Sequence, residues 1–147
     1  ANPVLVTPAC RRRFDKEGKS VNTHGEYPDA IRWVAQKENV PLIELNGMTT
    51  MLCDVLGVDG SMKLYVHYPA GTFSGQTREF KDNSHFSTYG AYETAKCVVE
   101  GMKKAKLDIV NYLRADYKGF NPAQPDKFET FKWNLCPFTE IEKPDGN

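Results

Sequence analysis

Asp82 and His85 are the pair of side chains in this sequence best suited to proton-transfer chemistry. They lie three positions apart in the segment Asp82-Asn83-Ser84-His85. Residues with this spacing face the same way in a helical turn, so the Asp82 carboxylate could accept a hydrogen bond from Nδ1 of His85. The other ring nitrogen, Nε2, would then be free to take a proton from a hydroxyl nucleophile, as in a Ser-His-Asp triad.

The spacing alone has an ordinary interpretation as well, namely an acid at the start of a helix beside a capping or packed histidine. The position of the pair favours the catalytic interpretation. It follows a long, irregular segment that runs from His67 to Asn83, and it directly precedes a predicted helix. This is the side of an open α/β sheet at which ligand sites lie.

Two further residues could contact a ligand. His67 and Tyr68 open the long irregular segment, and together they could line a sugar site. The alternative is that both simply pack at the surface. His24, at the start of a predicted helix, is given no functional role.

The pattern of apolar residues predicts the order strand, helix, strand, helix, long loop, helix. Val4-Leu5-Val6 and Pro41-Leu42-Ile43-Glu44-Leu45 are short apolar runs typical of strands that are covered on both faces. Strands that alternate with helices pair in parallel through right-handed crossovers. Two strands do not make a stable open sheet, so we expect further strands to come from outside this chain.

The helices are predicted from their caps and apolar stripes. The first begins near Thr23 and Glu26, which have capping-box spacing, and the second is capped by Asn46. The third is capped by Ser87, and its stripe consists of Ala91, Ala95, Val98, Val99 and Met102.

Several separate motifs, in the same order, resemble one family of hydrolases. They are Val4-Leu5-Val6-Thr7-Pro8, Arg11-Arg12-Arg13-Phe14, Asn22-Thr23-His24-Gly25-Glu26-Tyr27-Pro28, Pro41-Leu42-Ile43-Glu44-Leu45-Asn46, Val66-His67-Tyr68-Pro69-Ala70-Gly71, and Asp82-x-x-His85-Phe86 followed by Thr88-Tyr89-Gly90-Ala91. The family is the rhamnogalacturonan acetylesterases of carbohydrate esterase family 12, a branch of the SGNH (GDSL-type) hydrolases. The likeness spans residues 3–113, corresponding to the C-terminal half of the family's domain.

The resemblance implies a fold, a reaction and two residue roles. The fold would be a three-layer α/β/α sandwich with a parallel, flavodoxin-like sheet, incomplete in this chain. The reaction would be hydrolysis of acetyl esters on an acetylated polysaccharide such as rhamnogalacturonan, without metal or cofactor, in an extracytoplasmic (secreted or periplasmic) parent protein. His85 would be the general base and then acid, and Asp82 would orient it.

The sequence departs from the family at the nucleophile. The family's serine lies in a Gly-Asp-Ser motif, and this tripeptide does not occur in the sequence. We therefore expect the chain to need the missing N-terminal half of the domain, and to be inactive by itself, because triad members act as a unit. Two alternatives stay open: a non-catalytic carbohydrate-binding or interaction module, and an SGNH esterase that acts on another acyl ester.

The composition narrows the classes of partner. The 19 basic and 19 acidic residues cancel, which argues against binding to nucleic acid or to an anionic membrane. Arg11, Arg12 and Arg13 are interpreted as a solvated loop. Cys10, Cys53 and Cys97 lie among apolar residues and are predicted to be core residues rather than metal ligands; the fourth cysteine is Cys136.

The chain is predicted to have two parts. Residues 1–113 form the hydrolase half-domain, and residues 114–147 form an extended tail or linker rich in proline and aromatic residues. An uncovered sheet edge in the first part could also support a homodimer.

Overall fold

The computed structural model describes residues 1–133 as four short strands, three α-helices and three short 3₁₀ helices. In chain order these are β1 (Leu5–Val6), α1 (Tyr27–Lys37), β2 (Leu42–Ile43), α2 (Leu45–Gly60), a 3₁₀ helix (Ser61–Leu64), β3 (Tyr65–Tyr68), β4 (Phe80–Phe86), α3 (Thr88–Lys104) and two further 3₁₀ helices, Asp108–Tyr112 and Phe128–Thr130. No helix among these residues is both long and apolar enough to cross a membrane.

The first sheet is the parallel pair that the sequence predicts. β1 and β2 lie side by side with Leu5 opposite Leu42 and Val6 opposite Ile43, and α1 connects them. Because this sheet has two strands, each has an outer edge with no strand beside it in the described part of the chain. A dimer through such an edge stays a prediction.

The second sheet corrects the predicted long loop. β3 and β4 form an antiparallel hairpin, so residues 80–83, which were expected to be irregular, belong to a strand. The connection is confined to residues 69–79. It is held by aromatic packing, with the Phe73 ring centroid 5.1 Å from that of Tyr68 and 6.5 Å from that of Phe80.

The predicted helix caps have mixed outcomes. Ser87 caps α3 as expected, since its Oγ accepts a hydrogen bond from the Gly90 amide at 3.0 Å. The caps predicted for α1 and α2 are wrong. Those helices follow Glu26 and Glu44, and neither of these residues makes a side-chain cap bond.

The predicted apolar stripe of α3 is also wrong at its first two positions. Ala91 and Ala95 are exposed, and the buried face consists of Tyr89, Gly90, Glu93, Lys96, Cys97 and Gly101. Two glycines let α3 approach its neighbours closely, and Glu93 and Lys96 form an ion pair at 2.8 Å. A charged pair can therefore lie on the buried face in place of the alanines.

The core lies where the loop after β1, α2, the start of β3 and α3 meet. Cys10, Cys53 and Cys97 are buried there as free thiols, as predicted, whereas Cys136 lies outside the described residues. Residues 114–133 fold back over α3. The Phe128 and Phe131 rings meet Tyr89 at centroid distances of 5.3 and 5.4 Å. The boundary between the two predicted parts of the chain stays a prediction.

Candidate active site

A four-residue bulge in β4 carries the predicted catalytic pair. Tyr65 pairs with Phe86 and His67 pairs with Lys81, so the single residue Val66 lies opposite residues 82–85. The extra residues are pushed out of the ladder, as in a β-bulge, a feature found next to active sites. The pair therefore comes from an irregular strand and not from the helical turn that the sequence suggested.

The bulge closes on the Asp82 carboxylate. Its Oδ1 accepts hydrogen bonds from the backbone amides of Ser84 at 2.7 Å and His85 at 2.9 Å. Its Oδ2 accepts a hydrogen bond from Nδ1 of His85 at 2.7 Å. The two residues that the sequence singled out are thus in direct contact, and one carboxylate both shapes the bulge and orients the ring.

This arrangement keeps Asp82 ionised. The backbone amides of His85 and Ser84, and then the His85 side chain, lower the pKa of Asp82 from 3.8 to about 2, because each donates to the charged form. In the neutral imidazole, the carboxylate favours the tautomer in which Nδ1 of His85 carries the proton. Nε2 of that tautomer has a free lone pair and can act as a base.

The His85 ring is presented outward. Its side chain is 81% exposed, and Nε2 has no hydrogen-bond partner among residues 1–133. Two residues further on, the Ser87 hydroxyl donates to the Lys63 carbonyl at 2.6 Å and the Ser87 amide donates to the Leu64 carbonyl at 3.0 Å. The start of α3 is thereby joined to the segment before β3, which limits how far the bulge can move.

His67 and Tyr68 lie in β3 beside the bulge. Nε2 of His67 donates to the Asn83 side-chain oxygen at 2.8 Å, so one of the two predicted ligand-binding residues touches the bulge itself. Both residues line a mainly apolar groove of about 380 Å³, whose other walls include Lys63, Tyr89, Phe128 and Phe131. His24 lies elsewhere, with its Nε2 2.8 Å from the Ala9 carbonyl oxygen.

Arg12 is a residue that the sequence interpretation missed. The prediction of a solvated loop is wrong for this residue, because its guanidinium donates to the Ser61 hydroxyl at 3.1 Å, to the Asn83 side-chain oxygen at 3.2 Å and to the Val58 carbonyl. Its two neighbours, Arg11 and Arg13, are exposed. Three arginines in a row carry no pattern that distinguishes the middle one, so only the tertiary structure shows that Arg12 differs from its neighbours.

The described residues bring a carboxylate and an imidazole together, but within residues 1–133 they place neither a nucleophile nor a metal centre beside them. Within residues 1–133, no hydroxyl lies within hydrogen-bond distance of Nε2 of His85, and no three His, Cys, Asp or Glu side chains converge in a way that could hold a metal ion. Ser84, the nearest serine in sequence, lies inside the bulge, where its amide is bound to Asp82.

Comparison with known proteins bears on the family. No protein-family model matches the chain. The chain is 39% identical over 113 residues to rhamnogalacturonan acetylesterase RhgT of Bacillus subtilis strain 168, an alignment that covers 77% of this chain and 49% of RhgT. It is 29% identical over 113 residues to the probable rhamnogalacturonan acetylesterase YesY of the same organism, covering 77% of this chain and 48% of YesY.

A solved structure bears on the fold. The crystal structure of protein YxiM from Bacillus subtilis superposes with a TM-score of 0.55 at 24% identity, covering 71% of this chain and 26% of that protein. It supports an SGNH-like α/β fold that is only partly present here. The chain spans about half the length of the curated relatives it matches. Over that half the chain is a homologue of proteins named rhamnogalacturonan acetylesterase.

Proposed function

We propose that this chain provides the acid–base half of an acetylesterase active site, in which His85 is the general base and Asp82 orients it. The observation that carries the proposal is the 2.7 Å hydrogen bond between Asp82 Oδ2 and His85 Nδ1, together with the outward-facing Nε2. A carboxylate and an imidazole in this relationship are two of the three parts needed for acyl transfer by a serine.

The reaction proceeds in two steps. Nε2 of His85 takes the proton from a serine hydroxyl as its oxygen attacks the acetyl carbonyl, and the resulting imidazolium returns the proton to the departing sugar oxygen. Water then attacks the acetyl-serine and gives a proton to the same ring. The imidazolium returns that proton to the serine oxygen as the acetyl–serine bond breaks and acetate leaves. Asp82 stays ionised throughout, because its pKa is about 2, and it stabilises the imidazolium that forms at each step.

The serine is supplied by a part of the domain outside this sequence. The family's Gly-Asp-Ser motif does not occur here, and the aligned segment covers about half of each relative. The high exposure of the His85 ring supports this division, because a second half packed over the bulge would bring a hydroxyl to Nε2.

The substrate class follows from the relatives and from the groove. Both curated relatives carry the name rhamnogalacturonan acetylesterase. The groove lined by His67 and Tyr68 offers aromatic walls next to the bulge, and aromatic surfaces of this kind suit the apolar face of a sugar ring. We therefore propose acetyl esters on a pectin-type polysaccharide as the substrate, and an extracytoplasmic parent protein to go with it.

The test is reconstitution of activity. The chain, joined to the N-terminal half of a rhamnogalacturonan acetylesterase, is expected to hydrolyse 4-nitrophenyl acetate and to release acetate from acetylated rhamnogalacturonan. His85→Gln should lower kcat by about 10⁶-fold, because the hydroxyl loses its base. The matched control is His24→Gln, which changes a histidine remote from the bulge. Activity that survives His85→Gln would refute the assignment.

The role of the groove has its own test. Tyr68→Ala should raise KM for the acetylated polysaccharide and leave kinetics on 4-nitrophenyl acetate unchanged, because the small ester has no sugar to contact the groove. Tyr112→Ala is the control, since Tyr112 is 86% exposed and does not line the groove. An equal effect of Tyr68→Ala on both substrates would argue against sugar binding at this groove.

A further inference from the structure

Arg12 connects three separate parts of the molecule through one side chain. Nε donates to the Ser61 hydroxyl at 3.1 Å, Nη2 donates to the Val58 carbonyl, and Nη1 donates to the Asn83 side-chain oxygen at 3.2 Å. Val58 lies at the C-terminal end of α2 and Ser61 begins the following 3₁₀ helix, whereas Asn83 lies in the bulge. The planar guanidinium has donors on several sides and can make these contacts together. The compact ammonium group of a lysine cannot reach all three partners.

The contact points on the α2 side are firmly held. Ser61 is fully buried, and its hydroxyl also donates to the Val58 carbonyl at 3.2 Å. The Val58 carbonyl lies next to a break in α2, where Gly57 has φ 69° and ψ −175°. The backbone therefore presents this oxygen to Arg12 at a point where the regular helix is interrupted.

Asn83 receives three hydrogen bonds at the centre of the bulge. Its backbone carbonyl accepts the Arg12 amide at 2.9 Å. Its side-chain oxygen accepts both Nη1 of Arg12 and Nε2 of His67, the latter at 2.8 Å, which uses both lone pairs of that oxygen. Asn83 lies between Asp82 and the two amides that Asp82 binds, so fixing Asn83 limits the conformations open to the whole bulge.

We propose that Arg12 is a positioning residue that holds the bulge in the conformation in which Asp82 contacts His85, and that it acts through Asn83. Arg12 bonds to neither Asp82 nor His85, so the effect of its guanidinium is transmitted by the Asn83 side chain. The catalytic consequence rests on the proposed esterase function, whereas the conformational statement does not.

The experiment measures the pKa of the Asp82 carboxyl by NMR titration of the full 147-residue chain. With the bulge intact, the pKa of Asp82 is about 2, because the amides of His85 and Ser84 donate to it. Arg12→Lys and Asn83→Ala should each raise this pKa by about one unit, since a loosened bulge no longer holds those donors in place. Both substitutions keep a positive charge at position 12, so a rise cannot come from the loss of a cation.

Arg11→Ala and Arg13→Ala are matched controls, because each removes an exposed neighbouring cation and should leave the pKa of Asp82 near 2. Thermal unfolding of every variant reports whether the fold is retained. The double variant Arg12→Lys/Asn83→Ala should raise the pKa of Asp82 no further than Asn83→Ala alone, because that single change already breaks the connection between the two side chains.

The pKa of Asp82 in the two variants decides for or against the proposal. A raised pKa in Arg12→Lys and Asn83→Ala, with unfolding temperatures near that of the parent chain, supports the proposal. An unchanged pKa in folded Asn83→Ala overturns it, whatever Arg12→Lys does, since Asn83 is the only route proposed. Neither result depends on esterase activity. The positioning role of Arg12 can therefore be refuted while the proposed esterase function stands, and the esterase function can be refuted while the positioning role stands.

Discussion

The backbone of α3 touches the backbone of Leu64 at Gly90. A methyl group on Gly90 would lie 1.8 Å from the Leu64 carbonyl oxygen, far closer than any real contact. The same oxygen accepts the Ser87 amide at 3.0 Å. Leu64 and Gly90 thus fix the distance between the start of β3 and the start of α3, the two elements on either side of the bulge.

Gly90→Ala is therefore expected to destabilise the chain by about 3 kcal/mol, measured by urea unfolding, since neither backbone can move without breaking the Ser87 contact. Gly47→Ala in α2 is the matched control. Its added methyl would meet only the Glu44 side chain at 3.8 Å, so stability should be unchanged or rise by about 0.5 kcal/mol. Equal effects of the two changes would show that the Leu64 contact is not rigid.

The pH dependence of the bulge follows from Asp82. Its pKa is lower in the folded chain than its ordinary value of 3.8, so its ionised form favours folding. That contribution is complete above the ordinary value and is lost as the pH falls through about 2. Because the backbone amide of His85 is the largest cause of the shift, His85→Ala should leave the pKa of Asp82 below 3.8. A return to 3.8 in a carboxyl NMR titration would mean that the ring, and not the backbone, holds the carboxylate.

Lys96 is expected to be a strong determinant of stability. Its ammonium lies 2.8 Å from the fully buried Glu93 and 2.6 Å from Asp126, with the Phe120 ring centroid 4.1 Å away. Lys96→Met should cost about 3 kcal/mol in chemical denaturation, because it leaves Glu93 buried without its cation. Lys103→Met removes a lysine whose side chain is 41% exposed, against 10% for Lys96, and should cost less than about 1 kcal/mol.

The Glu93 carboxyl gives this pair a characteristic pH profile. Burial is the largest cause of its shift and raises its pKa above 4.5, against the opposing effect of Lys96. The stability linked to Glu93 is therefore greatest at low pH and falls as the pH rises through the raised folded value. Glu93→Gln should remove this fall, and a profile unchanged by that substitution would contradict the assignment.

Tyr65 provides a test of the core. Its ring is buried and its hydroxyl donates to the Cys10 carbonyl at 2.8 Å. Tyr65→Phe should lower the free energy of unfolding by about 1–3 kcal/mol, since a buried carbonyl loses its donor. The same change at the exposed Tyr112 should have no measurable effect, and comparable losses at both positions would refute the role of the hydrogen bond.

The sequence by itself was sufficient for what depends on local pattern. The parallel pairing of β1 and β2, the start of α3 at the Ser87 cap and the burial of the three cysteines could be predicted, because apolar runs, alternation of strands with helices and capping residues act over short distances. The choice of Asp82 and His85 as partners also came from spacing, and their contact lies within four consecutive residues.

Only the tertiary structure decided what depends on distant segments. The bulge exists because Val66 lies opposite four residues, a register that no local pattern specifies. The burial of Glu93 and Lys96 in place of Ala91 and Ala95 depends on α3 resting against Leu64 and on residues 114–133 folding back over it. Arg12 resembles its two neighbours in sequence, and it differs from them only because Val58, Ser61 and Asn83 are brought to its guanidinium from 46 to 71 positions away.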